Sequence, residues 1–304
     1  MLRSVILAAS RNERVHRLVA GAPLSRAVVR RFVAGESADD AVRASTGLLA
    51  KGLTVSLDHL GEDTTDAAQA AATVQAYLVL LDRLAGQGLT TGGRVEVSVK
   101  LSAVGQTLSD DLALEGARAV CAAAEAAGTT VTLDMEDHTT TDRTLATLAV
   151  LRQTYPSTGA VLQAYLHRTE ADCTALAVEG SRVRLCKGAY KEPAEVAYQR
   201  TDEVDASYRR CLDVLMAGPG YPMVATHDPA LIAAATTTGR APGSFELQLL
   251  YGIRPLEQER LAAAGHAVRV YVPYGEQWYG YLMRRLAERP ANLVFFLRAL
   301  ASRS

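Results

Sequence analysis

The 304-residue chain is 49% hydrophobic, enough to bury the core of one large barrel or of two small domains. A formal net charge of -1, with no basic stripe, argues against a nucleic-acid partner. The four cysteines (Cys121, Cys173, Cys186 and Cys211) are scattered and lack CxxC spacing, so they read as reduced thiols rather than a disulfide frame or a zinc site.

The opening stretch MLRSVILAASRNERVHRLVAG carries an apolar patch that charge interrupts too soon for a signal peptide or a membrane span. A soluble, cytoplasmic protein is expected. Residues 1–50 read as an N-terminal helical segment. Leu18, Val19 and Ala22 lead to Pro23, Val28, Val29 and Phe32 follow, and Asp39 and Asp40 open a stretch with Val42, Leu48 and Leu49 on its apolar side.

Over residues 51–304 short β-like runs alternate with Ala/Leu-rich helical runs. Strands are predicted at Leu53–Leu60, Val95–Leu101, Thr130–Asp134, Ala160–Leu166, Arg182–Cys186, Pro222–Ala225, Gly243–Leu247 and Ala267–Val272. Asp66–Ala85, Leu112–Ala127 and Glu195–Met216 are among the helices between them. About eight such units in one chain are the layout of a (β/α)8 barrel of the TIM type. A doubly wound sheet is the alternative, and it lacks support because no strand runs into a GxGxxG or Walker-type turn.

Side chains alternate faces along a strand. Val95, Val97, Val99 and Leu101 form one face of their strand and Glu96, Ser98 and Lys100 the other. The same alternation places Lys100, Asp134, Gln163, Arg184 and Tyr271 inside the barrel and toward the strands' C-terminal ends. Barrel active sites lie there, and barrel interiors are otherwise filled by branched apolar groups. Buried charge is costly unless paired or bound to something. A self-satisfied network such as Lys100 with Asp134 would explain any one of these residues. The whole set points to a large polar ligand in the barrel mouth.

After the last strand, WYGYLMRRLAERPAN reads as a helix that Pro290 ends or kinks. Tyr281, Arg284, Arg285 and Glu288 fall at i, i+3, i+4 and i+7 and share one face. Adjacent guanidinium groups can grip a carboxylate. On pattern alone, a solvated Arg284–Glu288 pair is the better explanation of that face.

The segments VSVKLS, LDMED, LQAYLHR, RLCKGAYKEP, ATHDP, FELQLLYG and RVYVPYGEQWYGYLMRRLAERPAN resemble the ordered blocks of the proline dehydrogenase family, from about residue 53 onward. The resemblance is to the monofunctional type. It implies a distorted (β/α)8 barrel carrying FAD, oxidation of L-proline to 1-pyrroline-5-carboxylate by hydride transfer to flavin N5, and a quinone as electron acceptor. A quinone acceptor implies peripheral contact with the inner membrane.

Carried across by residue, the resemblance gives Arg284, Arg285 and Lys100 the proline carboxylate and places Tyr271, Tyr281 and Leu250 around the ring. Asp134 and Arg184 match catalytic positions, with Arg184 near the flavin. Met135, Gln163, Lys187, Gly188, Ala189, Thr226, His227 and Glu288 match cofactor contacts. Glu62 matches a gate carboxylate that pairs with Arg284. Cys186 stands where relatives often have Val, a change expected to be neutral, and Tyr271 favours proline over hydroxyproline.

Four residues keep second readings. Asp134 is either a proton acceptor or a positional member of the interior network. A lone His227 is often a satisfied core or surface group. Lys187, like Lys100, could instead be the imine-forming amine of a barrel aldolase or lyase. The remaining histidines show no metal-ligand spacing, and no metal is expected. A non-catalytic amino-acid-binding barrel is the third functional reading.

Overall fold

The computed structural model describes residues 29–62 and 64–288, with the backbone alone over 284–288. Eight parallel strands close into a barrel in sequence order. They are β1 (Thr54–His59), β2 (Val95–Val99), β3 (Val131–Leu133), β4 (Gly159–Gln163), β5 (Arg182–Cys186), β6 (Tyr221–Ala225), β7 (Glu246–Leu250) and β8 (Val268–Tyr274).

Helix α1 (Ala38–Leu49) precedes β1. Each strand is then followed by one helix: α2 (Ala67–Gly86), α3 (Asp110–Ala126), α4 (Thr141–Arg152), α5 (Thr169–Leu176), α6 (Thr201–Ala217), α7 (Pro229–Thr236), α8 (Pro255–Ala263) and α9 (Trp278–Glu288). The predicted (β/α)8 architecture is the one observed.

Local chemistry sets several helix starts. Ser37 and Asp40 form a reciprocal capping box at α1. Asp66 caps α2 and Ser109 caps α3 through side-chain oxygens. Asp228 caps α7, with Pro229 at the first helical position. α1 buries Ala41 and Val42 in the barrel's own core, and residues 34–35 are tied to the end of β8 by Ala34 N–H to Pro273 O and Gly275 N–H to Gly35 O, both 2.9 Å.

The outward strand faces, such as Val95, Val97 and Val99 or Val268, Val270 and Val272, join Leu80, Leu84, Val120, Leu151 and Leu212 of the helices in one apolar layer. Two buried tyrosines from the helices satisfy strand ends: Tyr77 OH donates to Ser98 O at 2.6 Å and Tyr208 OH to Leu185 O at 3.0 Å. The inward faces are polar, as the alternation predicted.

Three elements differ from the sequence reading by three residues or more. β7 begins at Glu246 rather than Gly243, because Gly243 has φ +80° and Ser244 N–H closes a turn onto Ala241 O. α6 begins at Thr201 rather than Glu195, because the preceding residues pair across a bridge, Leu166 with Ala197. β4 ends at Gln163 rather than continuing to Leu166, because Tyr165 N–H turns to Lys187 O. The residues around Leu18 to Val28 lie outside the described part of the chain.

Candidate active site

The lower half of the barrel is ionic. Glu96 of β2, wholly buried, meets Arg182 of β5 at 2.6 Å, Arg184 at 3.5 Å and Arg269 of β8 at 3.9 Å. Glu246 of β7 accepts from Arg269 Nε at 2.8 Å and from Gln248 Nε2 at 2.6 Å. Burial pushes the Glu96 carboxyl up, but Arg182, Arg269 and Arg184 outweigh it and hold the group at about 2. This network closes the barrel from below and supports the layer above it.

Arg184 organises that upper layer. Its Nη1 donates to Asp134 Oδ1 at 2.7 Å and to Ser98 Oγ at 2.8 Å. Its Nε donates to Gln248 Oε1 at 2.5 Å and its Nη2 to Ser56 Oγ at 3.1 Å. The guanidinium carbon stands 5.2 Å from the centroid of the Tyr271 ring, within cation–π range. Both Asp134 oxygens are hydrogen-bonded: Oδ1 accepts from Arg184 and Ser98, and Oδ2 accepts from Tyr271 OH at 2.7 Å. Of its two readings, the positional one fits this geometry.

At the top of the strands, the Lys100–Asp134 contact is present, but Asp58 is the nearer partner of Lys100. Lys100 Nζ donates to Asp58 Oδ2 of β1 at 2.7 Å and lies 3.9 Å from Asp134 Oδ2. Burial works against the ammonium, but the charges of Asp58, Asp134 and Glu62 hold it above the ordinary lysine range. Burial pushes Asp58 itself up to about 6, against the pull of Lys100. The alternation rule that identified Lys100 also reaches Asp58, since Val55 and Leu57 alternate with Ser56 and Asp58.

The loops after β5, β6 and β7 form the far rim. Lys187 Nζ bridges Asp205 at 2.5 Å and Asp228 at 2.9 Å. Burial disfavours its charge, yet these hydrogen bonds hold it above the ordinary lysine value. Gly188 has φ +113°, and a Cβ there would run into the Tyr165 ring. His227 Nε2 accepts from Leu250 N–H at 3.0 Å, so the neutral ring carries its proton on Nδ1. Gln163 Nε2 donates to Glu136 O at 2.7 Å.

These elements surround a cavity of about 710 Å³ at the C-terminal ends of the strands. Lys100, Asp134, Arg184, Tyr271, Leu250 and Glu62 line it. So do Met135, Gln163, Lys187, Gly188, Ala189, Thr226 and His227. Tyr281 of α9 closes one side. Every predicted site residue with a described side chain therefore reaches this space. The side chains of Arg284, Arg285 and Glu288 lie outside the described residues, and with them the Glu62–Arg284 pairing. Asp58, Gln248 and Asp228 also line the cavity and escaped the sequence reading.

The cavity is far larger than a single amino acid requires. It runs from the charged barrel mouth to a rim of small and apolar groups, Ala189, Ala225, Leu249 and Leu250, with the Thr226 hydroxyl and the His227 ring among them. A flat heteroaromatic group with a polar tail fits that lining.

The chain matches the model of the proline dehydrogenase family over residues 41–298. It is 37% identical over 304 residues to proline dehydrogenase 1 of Bacillus subtilis, covering 99% of each chain. It is 39% identical over 282 residues to the proline dehydrogenase of Deinococcus radiodurans, covering 90% of each. Among solved structures it resembles proline utilization A from Bdellovibrio bacteriovorus inactivated by N-propargylglycine, with a TM-score of 0.81 and 27% identity. That match covers 95% of this chain and 36% of the longer protein. With likeness over nearly its whole length to two such enzymes and the barrel to match, the chain belongs to the proline dehydrogenase family.

Proposed function

We propose that the protein oxidises L-proline to 1-pyrroline-5-carboxylate with FAD in the barrel mouth and passes the electrons to a quinone. One observation carries the reading. Lys100, Arg184, Tyr271 and Tyr281 converge on the same cavity as the Lys187–Ala189 turn, in a chain of this family.

FAD, when bound, supplies the two-electron acceptor. Met135, Gln163, Thr226, His227 and the Lys187–Ala189 turn would hold it, with Glu288 reaching its tail. The other side of the cavity holds substrate. Lys100, kept protonated beside Asp58, offers its N–H groups to the proline carboxylate. Arg284 and Arg285 stand three and four positions beyond Tyr281 in α9, the spacing of one helix face. They supply the remaining cations.

Tyr271, with its hydroxyl tied to Asp134, sets the width of the slot for the pyrrolidine ring. Fixing the ring in this way turns encounter into near-attack geometry. Arg184, immobilised by its bonds to Asp134, Ser98, Ser56 and Gln248, adds fixed positive charge where reduction builds negative charge. The substrate ammonium gives its proton to water, and Asp134 stays an anchor for Arg184, Ser98 and Tyr271. Glu62 closes over the occupied site through Arg284.

The imine-forming lysine reading fits poorly. Such an amine must be neutral, whereas Lys100 and Lys187 are both ion-paired and held above the ordinary lysine range. No described helix is long and apolar enough to cross a membrane. Delivery of electrons to a quinone would take place through peripheral contact with the inner membrane, a reading that rests on the family resemblance.

The visible absorption spectrum tests the proposal. A yellow protein with flavin bands that bleach on anaerobic addition of proline is expected. A colourless protein, or bands that excess proline leaves unchanged, would overturn it.

A further inference from the structure

Outside the cavity, one buried carboxylate joins three loops. Glu192 follows β5, and its side chain is 3% exposed. Its Oε1 accepts from His138 N–H, in the loop after β3, at 3.0 Å and from Tyr165 OH, in the loop after β4, at 3.2 Å. Its Oε2 contacts His138 Nδ1. Its own backbone carbonyl accepts from Gln199 Nε2 at 3.2 Å. A carboxylate this buried is costly unless it is so engaged. Neither Glu192 nor Tyr165 is among the residues that line the cavity.

Tyr165 carries that constraint to the rim. Its N–H donates to Lys187 O at 2.9 Å, and its own carbonyl accepts from Tyr198 N–H at 2.8 Å. Its ring fills the space in which a side chain at position 188 would begin, and Gly188 there adopts φ +113°. Burial, with the charge of Glu192, keeps the phenol protonated and donating. The Lys187–Ala189 turn thus leans on a ring whose far end is pinned by Glu192.

We propose that Glu192 is a positioning residue for the cofactor, setting the Lys187–Ala189 turn through Tyr165 without touching the ligand. The inference rests on the assignment of that turn to FAD. His138 is the strut on the other side of Glu192, so the loop after β3 fixes the loop after β5 across the intervening one. Site groups need this outer support to stay in register.

The test dilutes the holoenzyme and follows FAD release by the rise in free-flavin fluorescence, with visible circular dichroism reporting the bound flavin's surroundings. Glu192→Ala should weaken FAD retention by about tenfold, the scale on which losing the outer partner of a metal ligand loosens the metal. Glu192→Gln, which keeps an acceptor oxygen, should recover most of that loss. Tyr165→Phe, which keeps the ring but cuts the link to Glu192, should shift retention and dichroism in the same direction as Glu192→Ala.

At saturating FAD the KM for proline should stay near the wild-type value in all three. A Glu192→Ala protein that melts earlier yet holds FAD like the wild type would overturn the inference and leave Glu192 merely structural. Where Glu192→Ala fails to fold, unchanged FAD retention in Tyr165→Phe overturns it. A wild-type protein without flavin would instead bring down the underlying reading, and this inference with it.

Discussion

Arg184 and Asp134 meet at 2.7 Å inside the barrel, and each is also tied to other strands: Arg184 to Gln248 and Ser56, Asp134 to Tyr271 and Ser98. Removing one member strands the other in a buried setting. Asp134→Ala should cost about 3–5 kcal/mol of stability, and Asp134→Asn less because the amide keeps an acceptor. Urea denaturation measures both. Turnover with proline should fall in each, since Arg184 and the Tyr271 ring lose their shared anchor.

The Lys100–Asp58 pair makes a chemical prediction. An ammonium paired to Asp58 at 2.7 Å and held above the ordinary lysine range is a poor imine-forming amine at neutral pH. Borohydride should therefore trap no adduct with a 2-keto acid. Lys100→Met should raise the KM for proline by about 10-fold or more while flavin stays bound, the size of one lost charge-assisted hydrogen bond. Steady-state kinetics and the flavin spectrum separate the two effects.

Arg285→Met tests the last helix. The expected outcome is a rise of about 10- to 100-fold in the KM for proline, with flavin content unchanged. Loss of flavin with unchanged proline affinity would show that this helix face serves the cofactor instead.

Glu96 sets an acid limb on stability. Its folded value of about 2 lies below the ordinary 4.5, so the folded state resists protonation at this site. The contribution is complete above about 4.5 and is lost as pH falls through about 2. Glu96→Gln should lower the denaturation midpoint at neutral pH and flatten the stability curve between those limits. Denaturant melts at a series of pH values would show it.

Much of the site could be read from period-two alternation, because a barrel strand has one wet face and one dry face. Lys100, Asp134, Arg184 and Tyr271 were found on that basis and do line the cavity. Gln248 was missed because the seventh strand was placed too early, ending at Leu247, when the turn at Gly243 and Ser244 delays its start. Asp58 obeyed the same alternation, but recognising it as a nearer partner of Lys100 than Asp134 needs the stagger between strands, which no single strand encodes. Glu192 and Tyr165 carry no local signal, since their contact depends on how three loops stack. The roles of Arg284, Arg285 and Glu288 came from the family resemblance.

The seam between the first and last strands has a consequence for synthesis. β1 pairs with β8 at six positions, from Thr54 with Arg269 to His59 with Tyr274. One of the bonds closing that seam, Arg269 Nη1 to Val55 O, joins residues 214 positions apart. Pairings this distant in the chain form late. Asp58 and Lys100 leave the ribosome early, and Tyr271 and Tyr281 leave it near the end. A growing chain therefore has no pocket to offer, and a truncation before β8 would leave the buried charges of the first strands without an enclosure to justify them.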